Sequence, residues 1–464
     1  MSSEAWALTL AAASQQIAAK TLSPVELVQS CLERIARVDG NLHATAHIDA
    51  EGALHAAKAA EADMATGRPR GPLHGIPIAF KDLIDAKGLV TTGNSHVTAR
   101  EPATEDAFAV AQLRDAGAII LGKLNTDEFA LGAANGDQPL PPVRNPWHPD
   151  HGPGGSSTGS AAVVGARLCP AALGTDTGGS IRRPAAWCGV VGFKPSYGRV
   201  SRHGALPLAP SYDHIGTFSR ATEDAAILLG AMAGHDRRDP TTSTRAVPDY
   251  HAALGRGIKG LKIGYARHYE DDGGPADPAV ADGMVEAVRV LRDLGATVSE
   301  IRLPTPQAAR ACFSPMMLAE VYALHAERLR TRWQDYGRNT RLRFAVGAFV
   351  TGADYVRAAQ GRAVIARAVN TALQQHDLLL TVTAPTTAMR YNSATPDDLL
   401  KGAGLTSVFN VSGHPAISVP AGFTPAGLPF GLQLAARMFD EATLFAAAHA
   451  YEQATQWAER RPPL

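Results

Sequence analysis

Two serines in this sequence close glycine-rich turns of a kind that can do chemistry. One lies in Gly152-Pro153-Gly154-Gly155-Ser156-Ser157-Thr158-Gly159-Ser160, the other in Gly174-Thr175-Asp176-Thr177-Gly178-Gly179-Ser180-Ile181-Arg182-Arg183-Pro184. Consecutive glycines let several backbone N–H groups converge on one point, which suits a phosphate or the oxyanion that develops on a carbonyl under attack. A serine directly after such amides can attack the carbonyl whose oxygen they hold. A phosphate-binding loop needs Gly-x-x-x-x-Gly-Lys-Ser/Thr, and no lysine follows these glycines, so the nucleotide reading lacks its key charge. The spacing at 152–159 does not fit Gly-x-Gly-x-x-Gly either. Residues 155–159 do match the Gly-x-Ser-x-Gly nucleophile elbow, but that elbow follows a strand, whereas 144–153 is a proline-broken loop. For one such turn alone, packing against neighbouring backbone is the simpler reading. Two turns joined by an apolar segment favour chemistry.

The elements around them have the texture of an α/β domain. Residues 5–20 read as a helix, and Ser23-Pro24-Val25-Glu26 opens a second with a capping box and proline at its first position, ending before Gly40. From residue 72 short apolar runs at 75–80, 118–121 and 171–174 alternate with glycine-rich turns and helical stretches. Residues 235–258 read as a surface connection. Strands are expected near 260–266 and 296–303 around a helix at 277–294, and again at 377–383, 414–422 and 430–436, before a last helix at 440–458. Residues 305–375 are mostly helical and dense in arginine. Sheet-like segments lie on both sides of that stretch, which predicts one domain over 1–464 with a helical insertion at 305–375.

Composition narrows the field. The 464 residues carry 44 Lys plus Arg against 44 Asp plus Glu, a formal charge of zero, with 45% hydrophobic and 19% charged residues. This is ordinary globular material, and it argues against disorder and against a basic nucleic-acid-binding surface. Cys31, Cys169, Cys188 and Cys312 are scattered, which argues against a disulfide scaffold and for a reducing compartment. No run approaches the roughly 18 apolar residues of a membrane span. The N-terminal residues lack the basic start of a secretory signal. The expectation is a cytoplasmic protein. His148 and His151 sit in a proline-rich loop and read as solvated, and no His-Glu-x-x-His is present, so no metal is expected.

Several stretches together resemble the amidase signature family: Gly75-Ile76-Pro77-Ile78-Ala79-Phe80-Lys81-Asp82, Gly154-Gly155-Ser156-Ser157, Asp176-Thr177-Gly178-Gly179-Ser180-Ile181-Arg182, the run 188–200, Asp213-His214-Ile215-Gly216, and Pro415-Ala416-Ile417-Ser418-Val419-Pro420. The resemblance runs from about residue 5 to the C-terminus, with a signature core at 72–223. It implies an α/β fold, a mixed twisted sheet flanked by many helices, and a Ser-Ser-Lys catalytic unit. Ser180 would be the nucleophile, Ser156, in a cis peptide linkage, the proton relay, and Lys81 the base. The amides of Thr177, Gly178, Gly179 and Ser180 would form the oxyanion hole, and no cofactor is implied. A lysine acts as a base only when neutral, so its pKa of about 10.4 must fall to roughly 7–8. Lys81 follows the apolar run 76–80, where burial favours the neutral amine. Asp82 should project to the opposite face, and Asp176 and Arg182 should hold the loop.

The resulting expectation is an amidohydrolase that cleaves a small-molecule carboxamide through a serine acyl-enzyme. Arg183 would pair with a substrate carboxylate. No nucleic acid or membrane partner is expected, and a homodimer is allowed. The alternative is the glutaminase subunit of the complex that amidates misacylated tRNA. Departures at Asn135–Pro142, at Leu83-Ile84 after Lys81-Asp82, and at Pro207-Leu208-Ala209-Pro210-Ser211 favour a free-standing amidase. A binding protein on an inactive scaffold ranks last, because all three catalytic positions are filled. Thr158 and Tyr212 are further departures, the first able to tighten the turn around Ser156 and the second to shape the pocket.

Overall fold

A computed structural model describes residues 4–98, 100–131, 136–272, 276–391 and 403–464, with residues 403 and 404 described by backbone alone. Asn135, which opens one departing stretch, lies outside them. Eleven strands form one mixed sheet: β1 Thr45–Ile48, β2 Pro77–Lys81, β3 Ile119–Leu124, β4 Ala171–Asp176, β5 Val191–Lys194, β6 His214–Ser219, β7 Lys262–Tyr265, β8 Thr297–Glu300, β9 Leu378–Val382, β10 Ala416–Phe423 and β11 Pro429–Ala436. Their order is β1-β3-β2-β4-β6-β5-β10-β11-β9-β7-β8. Parallel pairs flank β2 on both sides and join β9, β7 and β8, whereas β4 through β9 pair antiparallel. The expected α/β architecture with a mixed sheet is the one observed.

Strand alternation sets the layers. In β2, Ile78 and Phe80 join the apolar cluster under helices Phe108–Asp115, Thr222–Met232, Pro278–Asp293 and Glu441–Thr455. Ala79 faces the other way, into the cluster with Ala161, Ala162, Val163 and Val164 of helix Thr158–Gly165. Lys81 has the parity of Ala79, so the last residue of β2 is turned toward the helix that Ser156 precedes. A third cluster joins helices Pro306–Thr331, Arg338–Val346 and Gly352–Gln375 to loop residues Leu83, Phe129 and Tyr212.

Two helix boundaries differ from expectation. Residues 5–20 split into a short turn at Ala5–Ala7 and a helix at Leu10–Ala18, because Thr9 takes an extended backbone and its hydroxyl accepts from the Ala12 amide. The next helix, Pro24–Leu42, carries the expected capping box but runs through Gly40, whose missing side chain would face open space. Leu42 is buried and anchors the last turn, and His43 ends it at φ 57°. The connection at 235–258 is stapled from below by Asp236 and Asp239, both buried, which accept from Ser201 and Arg202. Among the described residues no helix is long and apolar enough to cross a membrane.

Candidate active site

Lys81 is fully buried, and its Nζ lies 2.8 Å from Ser156 Oγ and 2.8 Å from Thr175 Oγ1. Both neighbours are neutral hydroxyls. Burial pushes the Lys81 ammonium down to about 7, against the weaker pull of Asp127, Asp176 and Asp213. The adjacent carboxylate does not reverse this, because Asp82 is taken up elsewhere: its Oδ1 is 3.3 Å from Lys123 Nζ, with both side chains buried. Lys123 also donates to the Ile84 carbonyl and to Thr91, each at 2.7 Å. Removing one partner of such a buried pair strands the other charge, at a cost of roughly 3–5 kcal/mol. Lys123→Met is therefore expected to lower the unfolding free energy by about that amount, read by chemical denaturation.

Ser156 sits on a clamped turn. The Gly155–Ser156 peptide is cis. The Ser156 carbonyl accepts from Thr126 Oγ1 at 2.9 Å and from the Asp127 amide at 3.1 Å, and the Gly155 carbonyl accepts from Arg183 Nη2 at 3.0 Å. Ser157 exchanges hydrogen bonds with Thr175 through its hydroxyl. The glycines here answer largely to close approach. A Cβ on Gly159 would meet the Ala44 carbonyl oxygen at 2.2 Å, and one on Gly155 would meet an Asp127 carboxylate oxygen at 2.2 Å. Thr158 ties the same turn to the end of β3, its hydroxyl donating to the Asn125 carbonyl at 3.3 Å.

Ser180, half-buried, ends the second turn, and its carbonyl accepts from the Ser157 amide at 3.3 Å. The two serine turns are thus in direct contact. Asp176 organises the second one: it accepts from the amides of Gly179 at 2.8 Å and Ile181 at 3.1 Å, and from the Arg182 guanidinium at 2.9 and 3.1 Å. Burial alone would raise the Asp176 carboxyl, but Arg182 beside it holds it well below the usual range. Arg182, also fully buried, reaches on to the Thr406 carbonyl, Gln433 and Asn410. The expected loop-holding pair is therefore part of a network that spans the chain. Because the Gly179 amide is engaged by Asp176, the amides of Thr177, Gly178 and Ser180 are the ones of the four without an acceptor among the described residues. Gly179 itself needs φ +126°, and a Cβ there would lie 1.9 Å from Thr406 Oγ1.

Arg183 lies beside the first turn with its Nε buried and unpartnered and its guanidinium 5.7 Å from the Trp187 ring. Half-buried Asp127 interacts electrostatically with Lys81, Arg183 and Arg343, and burial lifts its carboxyl to about 7. Sequence reasoning missed Asp127, Arg343 and Thr175. It also assigned no role to Asp213, which accepts from the Thr177 hydroxyl at 2.6 Å and from the amides of Leu208 and Ala209. Asp213 and Thr175 were visible inside the quoted motifs, so motif membership was the available signal. A cavity of about 200 Å³ touches Thr175, Thr177, Leu206 and Asp213, and neither Ser156 nor Ser180 lines it. Tyr212 is buried against Phe313 and donates to Met316 Sδ, so it docks the helical layer onto the sheet.

The histidines differ in part from expectation. His151 is buried, not solvated, edge-to-face with His148 at 4.5 Å between ring centroids and bridged through its backbone to Arg390. His214 is buried between the carbonyls of Tyr212 and Asp176 and Lys194. Among the described residues no group of three or more His, Cys, Asp or Glu could hold a metal ion.

This arrangement, a buried neutralisable lysine on a hydroxyl beside a serine turn with open amides, belongs to a class of amide-hydrolysing enzymes. The Amidase family model matches residues 26–445, and the chain belongs to that family. A glutamyl-tRNA(Gln) amidotransferase subunit of Geobacter sp. (strain M21) is 39% identical over 489 residues, covering 99% of this chain and 100% of the relative. A solved chain from "an unexpected vestigial protein complex" tied to "an s-triazine catabolic enzyme" superposes with TM-score 0.91 at 32% identity, over 97% of this chain and 99% of that one. The peptide amidase of Stenotrophomonas maltophilia gives TM-score 0.86 at 33% identity, over 98% of each chain. These matches correct one expectation. A lone enzyme on a small amide, with no nucleic acid and no partner beyond a second copy, does not fit relatives that are named as subunits of a tRNA amidotransferase over their whole length.

Proposed function

We propose that this chain is the ammonia-releasing subunit of a tRNA-dependent amidotransferase, hydrolysing the side-chain carboxamide of glutamine. The observation that carries the reading is identity near 40% to glutamyl-tRNA(Gln) amidotransferase relatives across 97–100% of both chains. In this reading neutral Lys81 accepts the Ser156 hydroxyl proton while Ser156 Oγ takes the Ser180 proton, and Ser180 Oγ bonds to the carboxamide carbon. The open amides of the 177–180 turn receive the oxyanion. Collapse breaks the C–N bond, and ammonia leaves with a proton returned through Ser156 from Lys81. Water then attacks the acyl ester by the same relay, releasing the acid and restoring Ser180.

The test is ammonia release from glutamine by the purified chain, alone and with partner subunits and misacylated tRNA. Glutamate and ammonia in equal amounts, enhanced by the partners, are expected. Turnover of simple amides with none of glutamine under any condition would replace this reading with a second one, an amidohydrolase of small amides within a protein complex. The structural match to the s-triazine-related complex favours that second reading.

The pH profile follows from Lys81. Its charged form is inactive as a base, so kcat/KM should rise about tenfold per pH unit below pH 7 and level off above it as the amine loses its proton. Arg183 is proposed to hold the substrate carboxylate. Arg183→Ala should lower kcat/KM on a carboxylated amide by roughly 10- to 100-fold, chiefly through KM, and by less on an uncharged amide, where only the hold on the Gly155 carbonyl is lost.

A further inference from the structure

Away from the two serine turns, a cleft of about 630 Å³ opens between helix Pro24–Leu42, the bend after helix Thr158–Gly165 and the C-terminal residues 461–464. Its walls carry Arg34, Arg37, Arg167 and Arg461, the acidic side chain among them is Glu4, and Leu464 also lines it. Arg34 and Arg167 are only 6% and 8% exposed, and no acidic side chain pairs with either among the described residues, which is rare for buried guanidinium groups. Arg34 Nε is buried with no hydrogen-bond partner. The other arms of Arg34 reach a backbone oxygen of Leu464 and the Ala166 carbonyl only at 3.5 and 3.4 Å, and Arg167 reaches the carbonyls of Ala7, Glu459 and Arg460 at 3.2–3.4 Å. Glu4 pairs with Arg461 at 3.2 Å where both are half in solvent. Arg34 stacks 4.3 Å over Trp6, which fixes its plane.

Charge of one sign is thus concentrated here at a cost. Arg34 and Arg37 stand one turn apart on a helix, where like charges repel. Burial and the neighbouring arginines together push the Arg167 guanidinium down to about 10. An arrangement that lowers stability when empty gains when an anion enters. The guanidiniums approach from three elements, which suits a group with oxygens pointing in three directions better than a planar carboxylate. The volume is that of a small-molecule site. We propose that this cleft binds a phosphoryl group, carried by pyrophosphate or a small phosphate ester, at a site separate from the amide-cleaving one.

Calorimetric titration of the full chain with inorganic pyrophosphate, at ionic strength fixed by KCl, tests this. A tri-glutamate peptide is titrated in parallel. Saturable pyrophosphate binding is expected, weakened at least about tenfold in Arg37→Gln/Arg461→Gln, the loss of one charged hydrogen bond or more. Both of these side chains are solvent-exposed, so the double variant should fold with an unchanged or higher Tm and unchanged amide hydrolysis. Absence of saturable binding, or binding that the double variant retains, overturns the proposal. Equal binding of the peptide also overturns it and assigns the cleft to an acidic segment of a partner protein.

Discussion

Ser180→Ala is expected to lower kcat for amide hydrolysis by about five to six orders of magnitude, with KM changed little. In the proposed mechanism, losing the Ser180 hydroxyl removes the covalent route, whereas the clamped first turn and the open amides of the second remain. Intact-mass spectrometry of the wild-type chain caught during turnover should show an acyl adduct that the variant never forms. An adduct persisting in the variant would place the nucleophile elsewhere, and Ser156 would be the first candidate. The variant should fold normally, since no side-chain hydrogen bond of Ser180 holds the Asp176–Arg182 network together.

Lys81→Met should cost about 10²- to 10⁴-fold in kcat, the usual range for a positioned base. Methionine is close to lysine in shape and needs no counter-charge. Its burial between Ser156 and Thr175 should leave stability unchanged or raise it, because a desolvated amine has been removed. The rise in kcat/KM through pH 7 should disappear as well. A variant that loses activity but keeps that rise would assign the titration to Asp127, the other group in the site whose pKa lies near 7. Steady-state rates from pH 5 to 9 on both proteins decide the matter.

Much of this site was readable from local sequence. The apolar run before Lys81 already implied a buried amine, and the paired glycines before Ser156 and Ser180 implied backbone amides packed close together. Charge compensation across the fold was not readable. Nothing near Asp82 announces Lys123 as its partner, and nothing near Arg182 announces Gln433 and Asn410, because those contacts exist only once β2, β3 and β11 lie in one sheet and helix Ala403–Val411 is in place beside Arg182. His151 was misjudged for a related reason: a proline-rich loop is normally wet, but this one is pinned to residue 390.

The expectation of a solitary enzyme failed on a different point. It rested on departures at 135–142, at Leu83-Ile84 and at 207–211, and in the last two Leu83, Ile84, Leu208 and Ala209 prove to be buried packing residues. Leu83, Leu208 and Ala209 pack with Phe313 and Met316. Such residues vary with the side chains they touch, so they say little about what the protein assembles with.

The reach of Arg182 to Thr406, Asn410 and Gln433 has a consequence for biogenesis. A nascent chain that has left the ribosome only through residue 400 holds Lys81, Ser156 and Ser180 but lacks the groups that satisfy this buried cation. Residues 406–433 must be made before the 176–182 turn can be assembled, so a polypeptide that stops short of them cannot cleave an amide by the proposed route.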